Sequence, residues 1–376
     1  MRTLKSFALA FALCSIPLGL HAADTNTLKV GVQLPLTGER ADVGKLMQNA
    51  LQMALDKVNA APGNGPKLEL AWADDESTTD GIAKSLDKLV HDPQVIAIAG
   101  EINSPLVLAS APIVDKEGLP YITGGSSPRT TAASPWIFRA GASDALLTKF
   151  LTDYMVDDLK AKDIAILHDK TGVHNQRAGL VADALKAQGI VVSVNGTWSP
   201  GDRSFTAQLE QVKAAHAKVL LALGETAEGG AFFKDAKAAG LQAQIVAHRD
   251  FGAKSVLDEA GAAADGALIF TEYAPALMGQ NTQTWAAAYK KRFGSDANVI
   301  AAQYYDSLLL IAGAMKTGGA TRAGVRSGLE HLKAYPGVMA DYTFDANRNG
   351  AHRFFVAKVG AGKLALVKVL SESSQQ

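Results

Sequence analysis

Cysteine is almost missing from this 376-residue chain: the single one, Cys14, lies in an apolar stretch near the start. Disulfides, cysteine-bound metals and cysteine nucleophiles are therefore excluded from everything after it. A surplus of either charge is missing too, with 37 Lys plus Arg against 37 Asp plus Glu. Nothing in that balance suggests a nucleic acid or another polyanion as partner. Beyond residue 20 no apolar run is long enough to cross a bilayer. The chain has neither the G-x-x-x-x-G-K-[ST] phosphate loop nor a G-x-S-x-G nucleophile turn. His168 and His174 stand six positions apart, which suits neither one strand face nor one helix face, so no metal site is expected from them. Neither a cofactor nor catalysis is expected.

What is present begins with a leader. Arg2 and Lys5 precede an apolar run over 7–20, and Ala22-Ala23 supplies small residues for cleavage. This is the pattern of a secretory signal peptide over 1–23. The residue before Cys14 is Leu13, whereas lipid attachment would need a small one, so no lipid anchor is expected.

The rest alternates strands and helices. Strands are predicted over 28–36, 68–73, 95–99 and 119–123, with helices over 43–59, to Val90, and 104–117 between them. The pattern restarts with a helix over 146–158 and strands over 163–168, 190–196, 218–223 and 245–247. Their helices are predicted over 176–188, 205–214 and up to Ala239. A further strand over 267–270, helices over 282–293, 299–316 and 321–332, and strands over 342–344, 353–359 and 364–369 complete the chain. Two successive βαβ series of similar size imply two doubly wound α/β units.

The stretch 97–127 concentrates the functional signal. Its two strands and crossover helix imply a parallel pair. Both following loops then lie at strand carboxyl ends, where open α/β sheets bind ligands. One loop leads into Ser104-Pro105, a Ser N-cap and a Pro suited to the first turn of a helix. A helix N-terminus is an anion site. The other loop, Gly124-Gly125-Ser126-Ser127, offers hydroxyls and close backbone approach. Glu101 opens the first loop and is a candidate to face the ligand. Tyr304 and Tyr305 lie on an apolar helix, and Tyr304 is a candidate pocket wall; Asp306 is read as pinning a loop or hinge.

The ordered set 30–38, Asp74-Asp75-Glu76-Ser77, Ser104, the Thr123–Ser127 loop and Tyr304-Tyr305-Asp306-Ser307 resembles the leucine/isoleucine/valine-binding family of periplasmic solute-binding proteins, which serve ABC importers. The resemblance covers nearly the whole chain after the leader. It implies two Rossmann-like lobes of the type I periplasmic-binding fold, joined by three hinge crossings near 141–142, 270–271 and 341–342. Lobe one is then 24–141 plus 271–341, lobe two 142–270 plus 342–371, and 372–376 a tail.

It further implies that Ser104, Gly125, Ser126 and Ser127 hold the carboxylate of an amino acid or related solute, and that Glu225 and Asp250 hold its ammonium. Glu225 stands where the family often has tyrosine. The implied setting is a periplasmic monomer that delivers its small-molecule ligand to an inner-membrane ABC permease. A ligand-sensing or regulatory module for amides or aromatic acids is the alternative on the same fold.

Overall fold

The computed structural model describes residues 27–62 and 66–371; the leader, with Cys14, and the tail 372–376 lie outside them. The chain opens with β1 (Thr27–Leu34), α1 (Ala41–Ala60), β2 (Lys67–Asp74), α2 (Thr79–Val90), β3 (Val95–Ala99) and α3 (Ser104–Glu117). β4 (Tyr121–Thr123), α4 (Pro128–Ala132) and β5 (Ile137–Arg139) follow. The five strands are parallel, in the order β2-β1-β3-β4-β5. α4 and β5 have no counterpart in the elements predicted from sequence.

The second series is α5 (Asp144–Asp153), β6 (Ile164–Asp169), α6 (Gly172–Ala187), β7 (Val192–Trp198), α7 (Thr206–Ala214), β8 (Val219–Leu223), α8 (Thr226–Ala238), β9 (Gln244–His248), α9 (Lys254–Ala260) and β10 (Leu268–Thr271). Its order, β7-β6-β8-β9-β10, repeats that of the first sheet strand for strand. α5 stops short of the predicted 146–158 helix because the backbone widens into a π-helical turn at Tyr154–Asp158.

Three helices then return to the first sheet: α10 (Gln280–Phe293), α11 (Val299–Gly318) and α12 (Arg322–His331). β11 (Tyr335–Pro336) and β12 (Asp341–Tyr342) form a small ribbon, and β13 (Arg353–Gly360) and β14 (Lys363–Ser371) close the second sheet as antiparallel strands. The chain thus folds as two three-layered α/β lobes. α1, α10 and α11 cover one face of the first sheet, and α2 and α3 the other. The faces of the second sheet are covered by α7, α8 and α9 on one side and by α5 and α6 on the other. α11 is buried along nearly all its length, which explains its almost uniformly apolar sequence.

Polar residues fix the loops. Asp74 Oδ1 accepts from the N–H groups of Leu36, Thr37 and Glu76, and Thr37 Oγ1 donates to Oδ2 at 2.6 Å. The Asp-Asp-Glu-Ser motif therefore ties the loop after β1 to the loop after β2. Asp306, wholly buried, accepts from Val338 N–H, Met339 N–H and the Tyr342 hydroxyl at 2.8–2.9 Å, so it pins the segment leading out of α12. α10 starts ahead of the predicted 282–293, and Thr282 lies inside its first turn rather than at the cap. Gly279 occupies the cap, and the Thr282 hydroxyl donates to Val338 O instead. Tyr342, Phe344 and Ala351 still pack in the core of the first lobe, while the second sheet resumes at Arg353.

Candidate functional site

The loops after β3 and β4 are laced together from beneath. Gly100 lies flat on Tyr121: a Cβ there would sit 1.9 Å from the ring, so no side chain fits. The Tyr121 hydroxyl accepts from Glu101 N–H at 2.8 Å and donates to Gln33 Oε1 at 2.7 Å. Thr123 Oγ1 donates to Glu101 O and accepts from Gly125 N–H at 2.8 Å. Tyr304 is fully buried, and its hydroxyl donates to Gly100 O. It supports the loop from behind; the pocket-wall position expected for it is not the one it occupies.

Ser104 and Ser127 meet above this base. Ser104 is the first residue of α3, behind the cap Asn103, so its expected capping role is not realised. Its Oγ accepts from Ser127 N–H at 3.2 Å. That uses one lone pair and leaves the hydroxyl proton able to turn to another acceptor. Ser127 caps α4 through Arg129 N–H, and Pro128 starts that helix.

Arg139 sets the orientation of this loop. It is wholly buried; Nε donates to Gly125 O at 2.7 Å, Nη2 to Ser127 O and to Thr130 Oγ1, and Nη1 to Asn349 Oδ1. In a planar trans peptide the N–H opposes the C=O. Pinning Gly125 O toward Arg139 therefore turns Ser126 N–H away from it. Burial pushes the Arg139 guanidinium down to about 10, against the pull of Asp144 and Asp345, so it stays charged at neutral pH.

Glu101 does not reach this cradle. It is wholly buried, with Oε1 accepting from Asn103 N–H, and its carboxyl meets that of Asp75. Burial, then the charge of Asp75 and the hydrogen bond to it, push Glu101 up to about 8. A folded-state value above the unfolded one favours the folded state in acid, and that advantage is lost as pH rises from about 4.5 towards 8. Glu101→Gln keeps both hydrogen bonds without a titrating proton. Its melting temperature should match wild type near pH 5 and exceed it at pH 8 by about 2–5 °C. Parallel melting-temperature profiles from pH 5 to 8 would contradict the buried pair.

The second lobe contributes through a buried chain of polar groups. Ser126 Oγ donates to Asp144 Oδ2 at 2.8 Å, and Asp144 Oδ1 accepts from Arg177 Nε at 3.1 Å. Arg177 Nη1 meets His248 Nε2 at 2.9 Å, and His248 Nδ1 lies 2.9 Å from Asp250 Oδ2. Burial, then Arg249, lower His248 to about 3, so the ring is neutral. Burial would raise Asp250, but the hydrogen bond from His248 and the charge of Arg249 outweigh it and keep the carboxylate ionised. Arg249 itself is paired with Glu272. The chain runs from the serine loop of the first lobe to Asp250 of the second.

Glu225 opens α8 and is exposed. Its N–H donates to Glu228 Oε2 at 2.8 Å, and the two acids form a reciprocal capping box at the helix start. Gly224 before it packs on Trp198, where a Cβ would come within 2.7 Å of the ring. Because β6 and β8 are neighbours, the loops after them meet. Asp169, His174 and Glu225 each place one oxygen or ring nitrogen within 4.8 Å of the other two. Crowding by the surrounding protein, then the charges of Asp250 and Asp169, raise Glu225 above its ordinary range. Sequence reasoning missed Asp144, Asp169, Arg177, His248 and Arg139 as parts of this site. Asp169 and His174 had a readable signal, their place at the carboxyl end of a strand; the others became visible only through their partners.

A cavity of about 420 Å³ lies elsewhere, lined by Arg139, Lys149, Arg348, Asn349 and His352. Among the described residues no helix is long and apolar enough to cross a membrane.

Residues 27–363 match the family described as periplasmic binding protein. An amino acid binding protein of Pseudomonas aeruginosa is 29% identical over 241 residues, 63% of this chain, and the match spans 64% of that relative's length. The Leu/Ile/Val-binding protein BraC3 of Rhizobium johnstonii is 27% identical over 376 residues, covering 96% of this chain and 99% of that one. A solute binding protein of an ABC transporter from Rhodopseudomonas palustris, solved in complex with 3,4-dihydroxy benzoic acid, is 23% identical with a TM-score of 0.76, over 92% of this chain and 98% of that one. The sheet order, the paired strand-end loops and this match over most of the chain agree: the protein belongs to the periplasmic binding protein family, with Leu/Ile/Val-binding proteins among its relatives.

Proposed function

We propose that this chain is the periplasmic solute-binding component of an ABC importer, and that it captures an amino acid or amino-acid-like solute between its lobes. The observation that carries this reading is the pairing of two complementary half-sites. The Ser104 and Gly125–Ser127 loops offer hydroxyl and N–H donors at a helix N-terminus, suited to a carboxylate. Asp250, held ionised on the other lobe, suits an ammonium. A ligand that spans both is bound more tightly with the lobes together, and this differential affinity drives closure. We place the hinge crossings near 140–143, 271–274 and 351–353; putting the last beyond 341–342 is supported by the packing of Tyr342, Phe344 and Ala351 with the first lobe. The leader over 1–23 directs export, the mature chain works as a monomer, and the partner is the inner-membrane permease.

Ser104→Ala combined with Ser127→Ala tests the carboxylate half. A hydrogen bond to a charged group contributes about 1.5–3 kcal/mol, so losing hydroxyl donors here should weaken binding by at least about tenfold in calorimetric titration. Unchanged affinity would contradict the assignment. The second reading, a module for amides or aromatic acids, draws on the dihydroxybenzoate complex of a protein with this fold. Under that reading benzoates or amides stabilise the protein in a thermal-shift screen and amino acids do not.

A further inference from the structure

We propose that the solute carries a second cationic group at its distal end, an amine or guanidine, and that Asp169, His174 and Glu225 receive it. This rests on the amino-acid reading of the cleft and narrows it to basic amino acids. The argument starts from hydrogen-bond polarity. The three side chains place one polar atom each, a ring nitrogen and two carboxylate oxygens, within 4.8 Å of one another. Asp169 is ionised: burial would raise it, but hydrogen bonds from His174 and Thr171 more than offset that. It therefore accepts, and His174 Nδ1, 2.8 Å from Asp169 Oδ2, carries the proton. The other nitrogen, Nε2, is buried and has no hydrogen-bond partner among the described residues. Glu225 accepts as well. Such a cluster of acceptors calls for a donor.

Charge decides what kind of donor. The cations near the cluster are committed elsewhere. Arg249 pairs with Glu272, and Arg177 is bound to Asp144 and His248. Asp250 is reserved for the α-ammonium. Asp169 and Glu225 remain as two carboxylates beside the His174 ring, and a cation between them relieves the crowding that raises Glu225. An aliphatic side chain entering here would strip water from both carboxylates and return nothing. Glu225 is thus the specificity-determining residue.

The test is calorimetric titration of the full mature chain with L-arginine, L-lysine, L-leucine, benzoate and zinc chloride. The proposal expects arginine or lysine to bind at least about tenfold more tightly than leucine. It expects Glu225→Gln to weaken the basic ligand by a similar factor without lowering the melting temperature of the unliganded protein. Glu225→Leu should move preference towards leucine. If leucine binds more tightly to wild type, this inference fails while the amino-acid reading stands. Failure of every amino acid alongside binding of benzoate overturns both. Zinc binding that depends on His174, with no response to basic amino acids, makes the cluster a metal site and overturns the inference.

Discussion

Arg139→Met should cost about 3–5 kcal/mol of stability and abolish measurable ligand binding, because it removes one partner of a buried charged network. The loss has a specific structure. Gly125 O, Ser127 O and the Thr130 hydroxyl all depend on the guanidinium. Methionine fills much of the volume but removes the charged donor from Gly125 O, Ser127 O and the Thr130 hydroxyl, leaving the two carbonyls only their bonds from Thr130, and Asp144 and Asp345 lose a compensating charge. The serine loop then loses the guanidinium that orients its Gly125 and Ser127 carbonyls. Arg139→Lys separates the two effects. It keeps the charge but cannot reach Gly125 O, Ser127 O and Asn349 at once, since only the guanidinium fork spans them. Its stability should fall less than that of the methionine variant, while its affinity remains strongly impaired. Denaturant midpoints and calorimetry on both variants check this. Near-normal affinity in the lysine variant would mean that the loop does not depend on the fork.

Asp250→Asn should weaken binding of the preferred amino acid by at least about 30-fold, the lower end of what truncating a buried charge pair costs. The carboxylate is kept ionised by His248 and Arg249, so it is ready to meet an ammonium without releasing a proton. The asparagine variant keeps shape and hydrogen-bonding capacity but removes the charge. His248 and Arg249 remain in place, so the fold should survive. The same variant should bind the deaminated analogue of the ligand no worse than wild type does, since that analogue has no ammonium to lose. An equal loss for both compounds would indicate a structural role for Asp250.

The periodicity of the sequence carried most of the fold. Long apolar strands such as Val95–Ala99 and the apolar α11 are legible because burial on both faces leaves little room for polar residues. β5 was not legible: it has three residues, and one is the charged Arg139. That arginine can be buried only because three carbonyl and hydroxyl oxygens and Asn349 converge on it, and convergence is a property of the folded chain. The same holds for α4, whose five residues follow the Ser127 cap. In the site, Ser104 and Ser127 were legible from small polar residues at strand ends. Their roles were not, since Ser104 faces Ser127 rather than capping its own helix. Glu101 misled because a loop acid after a strand looks available to ligand. The partner that hides it, Asp75, is distant in sequence and reaches it through the sheet. Asp169 and His174 join Glu225 only once β6 and β8 are known to be neighbours.

The central claim is that both ends of an amino acid are read, one by each lobe. The most direct measurement is a calorimetric titration of the mature protein with a matched trio: the amino acid that stabilises it most, its deaminated acid and its decarboxylated amine. Two half-sites acting together predict tight binding of the intact amino acid and losses of at least about tenfold for each truncated compound. A deaminated acid that binds as tightly as the amino acid would contradict it.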